Sequence, residues 1–237
     1  MIKLIAFDLD GTLTRHRTPL CEKHTEILKK LGEKYKLLMV GAGMCHRVFK
    51  QMNNFPIDII GNYGMQVAKY NSQTKDLDII ENNVAFCDRE KVAEKVKILR
   101  EKYGFLEYKG DAVEFHSSGC ITFPILGTKA DIEDKLSFDP DRIKRRKIYS
   151  EVQSMFLEYN VFVGGSSSFD MAPKPFNKYY ALDKYCKENG ILHSEVYFVG
   201  DDYGLGGNDE SVYKSDFNFI KVDDYVDFPK CVEFLLQ

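Results

Sequence analysis

The sequence predicts an α/β protein built on a doubly wound parallel sheet, with a second, smaller α+β domain inserted into it. Three observations predict this. Short, continuous apolar runs occur early and late in the chain, and acidic or small residues follow each at once. Helical patterns separate the early runs, and between about Asn82 and Pro175 the pattern changes before the first one returns. A strand buried on both faces of a parallel sheet reads as an unbroken apolar run, whereas a sheet with one wet face alternates.

Lys3-Leu4-Ile5-Ala6-Phe7 is the first such strand. Thr18-Pro19 then opens a helical pattern with Ile27, Leu28 and Leu31 on one side, which places Thr18 as N-cap and Pro19 at the first helical position. Leu37 to Val40 is a second strand, ending in Gly41-Ala42-Gly43. A helix from about Cys45 and a strand at Ile57 to Ile60 complete a βαβαβ beginning. Met65 to Tyr70 and Leu77 to Ile80 form a hairpin appended to it. The insert carries a helix around Val92, Val96 and Leu99, alternating strands around Ala112 to Phe123, and a second long helix after Asp139-Pro140. From Asn177 the parallel-sheet pattern resumes with an Asn-capped helix stopped by Gly190. The strand Val196 to Val199 follows and runs into Gly200-Asp201-Asp202. The expected division is residues 1–81 and 176–237 as core and 82–175 as insert.

At 237 residues and 44 % apolar, the chain can bury one large core and also accommodate an inserted domain. Its 33 basic and 36 acidic side chains, for a formal charge of -3, offer no long-range attraction to nucleic acid or anionic lipid. The apolar stretch before Asp8 is shorter than a signal-peptide core, and no segment approaches the roughly 18 apolar residues of a membrane span. The six cysteines are scattered without metal-ligand spacing, so reduced thiols and a cytoplasmic location are expected.

Ligands of a doubly wound sheet bind outside the carboxyl ends of its strands. Three such ends carry chemistry: Asp8-x-Asp10-Gly11-Thr12, Gly41-Ala42-Gly43, and Gly200-Asp201-Asp202 with Gly206-Gly207-Asn208-Asp209. Asp8, Asp10, Asp201 and Asp209 gathered at one edge would repel one another unless a divalent cation sat among them, and an all-oxygen set suits Mg²⁺. A carboxylate can attack phosphorus to give an aspartyl phosphate. Asp8 and Asp10, two apart, would share a face of a continuing strand, which fits a nucleophile with a general acid.

Phe7-Asp8-Leu9-Asp10-Gly11-Thr12-Leu13-Thr14 resembles the first motif of the haloacid dehalogenase superfamily, which implies its Rossmann-like core. The closing segment Gly200 to Asp209 is similar to the eukaryotic-type phosphomannomutase branch, as are Gly164 to Pro173, Asn177-Lys178, Val113 to Phe115 and Phe123 to Ile125. The resemblance implies Asp8 as nucleophile, Asp10 as acid/base and Lys178 as stabiliser of phosphoryl charge. It puts Asp201 and Asp209 on or near Mg²⁺ with Asp202 in reserve, makes the insert a cap, and matches Ser168 and Asp170 to sugar-contacting positions.

Two departures matter. The superfamily's second motif presents Ser or Thr, whereas this chain has Gly41-Ala42-Gly43-Met44; backbone N–H groups of the turn would have to bind the anion instead. Where that branch uses cap arginines to hold a second phosphate, this chain has Lys109, His116 and Thr128-Lys129, which lack the guanidinium fork. A Mg²⁺-dependent phosphatase acting on a small phosphorylated metabolite, in particular a sugar phosphate, is therefore the expected activity. A phosphomannomutase-type isomerase and a non-catalytic phosphate-binding relic are the competing readings. A homodimer is allowed for; a nucleic-acid or membrane partner is not expected. The basic run Arg142, Lys144, Arg145, Arg146 and Lys147 is read as a solvated helix face.

Overall fold

Leu4 and Ala6 point to one side of the first strand and Ile5 and Phe7 to the other, and all four are fully buried. That double burial is why the run is unbroken. A computed structural model describes all 237 residues. In chain order they form β1 (Leu4–Phe7), α1 (Glu22–Gly32), β2 (Lys36–Val40), α2 (Cys45–Gln51), β3 (Asp58–Gly61), β4 (Gln66–Asn71) and β5 (Asp76–Asn82). Then come α3 (Arg89–Tyr103), β6 (Glu114–Phe115), β7 (Ile121–Pro124), α4 (Ile132–Phe138), α5 (Ile143–Met155), β8 (Tyr159–Phe162) and β9 (Ser168–Pro173). The chain closes with α6 (Lys178–Asn189), β10 (Val196–Gly200), α7 (Glu210–Tyr213), β11 (Asn218–Lys221), α8 (Phe228–Cys231) and α9 (Glu233–Leu236).

Two compact units result. The first comprises Met1–Asn82, Phe176–Gly204 and Asp209–Gln237; the second comprises Asn83–Pro175 with Leu205–Asn208. The first unit holds a seven-stranded sheet in the order β11-β10-β1-β2-β3-β4-β5. Its first five strands are parallel, and β4 and β5 are an antiparallel hairpin added at the edge. The order reverses beside β1, and there the doubly wound topology opens its ligand crevice. On one face Ile5, Phe7 and Met39 pack with Leu28 and Leu31 of α1 and Val48 and Phe49 of α2. On the other, Leu4, Ala6 and Leu38 pack with Ala181, Leu182 and Tyr185 of α6.

The second unit is a four-stranded sheet, β6-β7-β9-β8, antiparallel throughout. Ile121, Phe123, Phe169 and Met171 point to its helix side and join Val96 and Leu99 of α3 and Val152 of α5 in a separate core. No helix of the protein is long and apolar enough to cross a membrane, and the six cysteine thiols form no disulfide.

Some local expectations change. The first helix starts at Glu22 with Cys21 as N-cap, three residues later than Thr18-Pro19 implied. Thr18 instead bonds back to the Arg15 carbonyl through both its N–H and its hydroxyl, and Leu20 N–H is taken by the Gln51 carbonyl, so this segment forms a turn. The Asn177 cap and the left-handed Gly190 stop stand as expected. Arg145 is buried rather than on a solvated face. Its guanidinium pairs with Asp139 at 2.8 Å and donates to the carbonyls of Gly164, Gly165 and Ser168, a demand for acceptors that charge patterning does not reveal.

Candidate active site

Phe7 is the last residue of β1, and the chain turns immediately afterwards, with the N–H groups of Leu13 and Thr14 donating to the Leu9 carbonyl at 2.9 and 3.0 Å. Asp8 stays in line with the sheet through its N–H bond to Val199 on β10. The turn therefore separates Asp8 from Asp10, and strand alternation does not set where Asp10 points. Asp10 Oδ1 accepts from Gln51 Nε2 at 2.7 Å and from Arg17 N–H at 2.6 Å.

Lys178, the first residue of α6, is fully buried, with its ammonium 2.5 Å from Asp8 Oδ1 and 2.7 Å from Asp209 Oδ1. Asn177 fixes the start of that helix by accepting Tyr180 N–H, so the cap and the lysine are positioned together. Asp201 enters from the end of β10. Thr12 Oγ1 donates to Asp201 Oδ1 at 2.9 Å, a link across 189 residues that ties the Asp8 loop to the Asp201 loop. A Cβ on Gly11, which has φ +101°, would lie 2.4 Å from Asp201 Oδ2. Only glycine satisfies both the left-handed backbone and that approach. Asp202 N–H donates to Asp209 Oδ2 and Asp209 N–H to the Asp202 carbonyl, which closes the acidic loop on itself.

Carboxylate oxygens of Asp8, Asp201 and Asp209 all lie within 4.8 Å of one another. The charges around them are unbalanced. Burial pushes Asp8 up to about 6 against the pull of Lys178, and Asp209 and Asp10 add to the rise. Asp209 is raised by burial too. Burial and the neighbouring Asp8, Asp209 and Asp202 push Asp201 up to about 9, and the Thr12 bond only partly opposes this. Burial pulls the Lys178 ammonium down, but Asp209 and Asp8 more than offset it and hold the group above the ordinary lysine value. One ammonium thus faces three acids, and it is bonded to two of them. A buried all-oxygen donor set with excess negative charge fits a divalent cation.

The other residues singled out in the sequence fall as follows. Gly41 N–H is committed to the Ile60 carbonyl, and the carbonyls of Gly41 and Gly43 accept from Tyr63 and Asn62, so the turn is braced against the end of β3. Ser168 and Asp170 lie on β9 of the second unit, on the sheet face opposite its core. Thr122 Oγ1 donates to Asp170 Oδ1 at 3.0 Å, and His116 Nε2 lies 3.1 Å from the same hydroxyl. Lys109 is ion-paired with Asp131 and, at 3.7 Å, with Asp134. Thr12, Arg47, Gln51 and the buried role of Arg145 were not singled out from the sequence. Thr12 stood inside the quoted motif, whereas nothing local marks Arg47 and Gln51.

The family model for haloacid dehalogenase-like hydrolases matches residues 5–209. A phosphomannomutase of Dendrobium officinale is 26 % identical over 224 residues, which cover 90 % of this chain and 85 % of that protein. The phosphomannomutase of Saccharomyces cerevisiae is 25 % identical over 219 residues, covering 89 % and 84 %. Among solved structures, the IMP-bound, N-terminally truncated Plasmodium falciparum IMP-nucleotidase superposes with a TM-score of 0.69 at 17 % identity, covering 99 % of this chain and 68 % of that one. The match of the family model across most of the chain, on a fold that gathers Asp8, Lys178, Asp201 and Asp209, shows that the chain belongs to the haloacid dehalogenase-like hydrolases.

Proposed function

We propose that the protein is a Mg²⁺-dependent phosphatase that hydrolyses a small phosphorylated metabolite, in particular a sugar phosphate, through an aspartyl phosphate on Asp8. The observation that carries this reading is the buried Asp8–Lys178–Asp209 group with Asp201 beside it. An Asp8 carboxylate oxygen forms a bond to phosphorus while the bond to the substrate oxygen breaks, and Asp10 gives that departing oxygen its proton. Asp10 then takes a proton from the water that attacks phosphorus, which releases phosphate and restores the Asp8 carboxylate. Lys178 lies against Asp8 and offsets negative charge where the phosphoryl group transfers. Asp8, Asp201 and Asp209 would hold Mg²⁺, whose charge offsets that of the transferring oxygens.

The turn Gly41-Ala42-Gly43 takes the place of the missing hydroxyl. With Gly41 N–H committed to β3, the N–H groups of Ala42 and Gly43 are the ones assigned to the phosphoryl oxygens. Residues 82–175 act as a cap on residues 1–81 and 176–237, and Ser168 and Asp170 of the cap read substrate hydroxyls.

Hydrolysis is preferred to isomerisation because of how the cap's buried cations are used. Arg100 donates to the carbonyls of Phe105, Ala112, Pro124 and Ile125, and Arg145 is held by Asp139 and three further carbonyls. Both guanidiniums serve the fold, and Lys109 is drawn to Asp131 and Asp134. A mutase needs a second firm grip on phosphate while its intermediate turns round. The phosphomannomutase reading is supported by similarity to relatives of that name across most of the chain. One comparison decides between them: phosphate release from hexose phosphates against conversion of mannose 1-phosphate to mannose 6-phosphate, with Mg²⁺ and a hexose bisphosphate activator. Net phosphate release is expected; efficient isomerisation with little release would replace the phosphatase reading by the mutase one.

A further inference from the structure

The proton role of Asp10 depends on where its carboxylate points, and because the chain turns at Leu9 the orientation has to come from elsewhere. It comes from α2. Gln51, the last residue of that helix, donates from Nε2 to Asp10 Oδ1 at 2.7 Å and to Thr14 Oγ1 at 3.1 Å. One helical turn earlier, Arg47 donates from one guanidinium nitrogen to Gln51 Oε1 at 2.7 Å, and its other terminal nitrogen lies 3.6 Å from Asp10 Oδ2. A residue four positions away on a helix is a neighbour on the same face, so one helix presents both groups.

The glycine turn completes the arrangement. A Cβ on Gly43 would lie 2.0 Å from a terminal nitrogen of Arg47 and 2.5 Å from Cζ and Nε. The guanidinium therefore occupies the space that any side chain at position 43 would fill. In this arrangement the Arg47 guanidinium stands beside Asp10, where a hydroxyl side chain at position 43 would begin.

We propose that Arg47 and Gln51 are positioning residues that hold the Asp10 carboxyl toward the leaving oxygen of the substrate. Arg47 fixes the Gln51 amide so that its N–H faces Asp10. Oδ1 accepts two N–H groups, from Gln51 and Arg17, and Oδ2 faces the Arg47 guanidinium at 3.6 Å, so both oxygens of the carboxyl are held in place. The proposal rests on Asp10 being the acid, and the experiment separates the two.

The test uses kcat/KM, which reports on bond cleavage to the leaving group and not on later hydrolysis of the phosphoenzyme. An aryl phosphate with an acidic phenol departs without a proton, whereas an alkyl phosphate such as glycerol phosphate needs one. A positioned general acid contributes about 10²–10⁴ in rate, so partial misplacement in Gln51→Met is expected to lower the alkyl ester by about 10-fold or more. The aryl ester is expected to fall by less than about 3-fold on the same argument. Arg47→Met, at a side chain 45 % exposed and so tolerant of replacement, is expected to shift the same ratio in the same direction. Asp10→Asn is the reference and should show the largest selective loss. Equal losses on both esters in Gln51→Met and Arg47→Met, or none, with a selective loss in Asp10→Asn, would overturn the positioning role alone. A loss in Asp10→Asn that ignores the leaving group would overturn the acid assignment and the proposal with it.

Discussion

At the scale of single residues, the site is defined by a charge imbalance that two substitutions expose in opposite ways. In the proposed mechanism, Asp8→Asn removes the attacking oxygen while keeping the shape. Phosphate release should vanish, with no acid-stable transfer of label to the protein; wild-type turnover would exclude the covalent route. Asp201→Asn tests the cation. Because Asp201 is raised to about 9, the metal-free folded protein binds a proton there that the unfolded chain lacks at neutral pH. A carboxyl raised in this way contributes stability at pH values below its unfolded value and loses that contribution as pH rises toward 9. In chelator at pH 7, Asp201→Asn should therefore melt a few degrees above wild type, each kcal/mol being worth about 2–4 °C in a protein of this size. Added Mg²⁺ should raise the wild-type melting temperature and leave Asp201→Asn almost unchanged, while Asp202→Ala keeps most of the response. An equal Mg²⁺ response in Asp201→Asn and wild type would remove Asp201 from the cation site. Gly11→Ala puts a Cβ against the Asp201 carboxylate at a positive φ, and a destabilisation of about 1–3 kcal/mol is expected in chemical unfolding.

At the scale of elements, α5 carries the feature that charge patterning misread. The Arg145–Asp139 pair is buried on both sides, and removing one partner of such a pair costs about 3–5 kcal/mol because the other charge is stranded. Burial pushes Asp139 up, but the Arg145 guanidinium and the N–H groups of Lys144 and Arg145 more than offset it and hold the carboxyl below its ordinary value. Its contribution is thus full above an ordinary carboxylate pKa of about 3.9 and is lost as pH falls through the depressed folded value. Urea unfolding of Asp139→Asn should show the large deficit at pH 7 and a shrinking one below about pH 4. A deficit independent of pH would mean that the pair acts by shape alone. Since Arg145 also holds the carbonyls of Gly164, Gly165 and Ser168, the same substitution should loosen the start of β9, read as faster amide exchange there.

At the scale of the whole molecule, the chain passes from the first unit to the second after Asn82 and back after Pro175, and the short segment Leu205–Asn208 also groups with the second unit. Few connections make a hinge natural, so a cap reading predicts a change of compactness when a phosphoryl mimic and Mg²⁺ bind. Solution scattering with and without the mimic measures it; superimposable profiles, with bound mimic shown by calorimetry, would remove the cap role.

What the sequence determined by itself is what depends on neighbours along the chain. The unbroken apolar runs of β1, β2 and β10 require covered faces, Asn177 and Gly190 delimit α6 by their own backbone chemistry, and Asp8 and Asp201 stand at strand ends because acids cannot continue a buried strand. Thr18-Pro19 misled because a carbonyl at Arg15 and another at Gln51 captured groups that local propensity assigns to a helix. The tertiary structure alone decided which charges meet. Lys178 reaches Asp8 across 170 residues, Thr12 reaches Asp201 across 189, and Gln51 reaches Asp10 across 41. These contacts are set by parallel strand order and helix packing. A sheet brings together the ends of strands that are far apart in sequence, and no local pattern encodes which side chain will find which partner there.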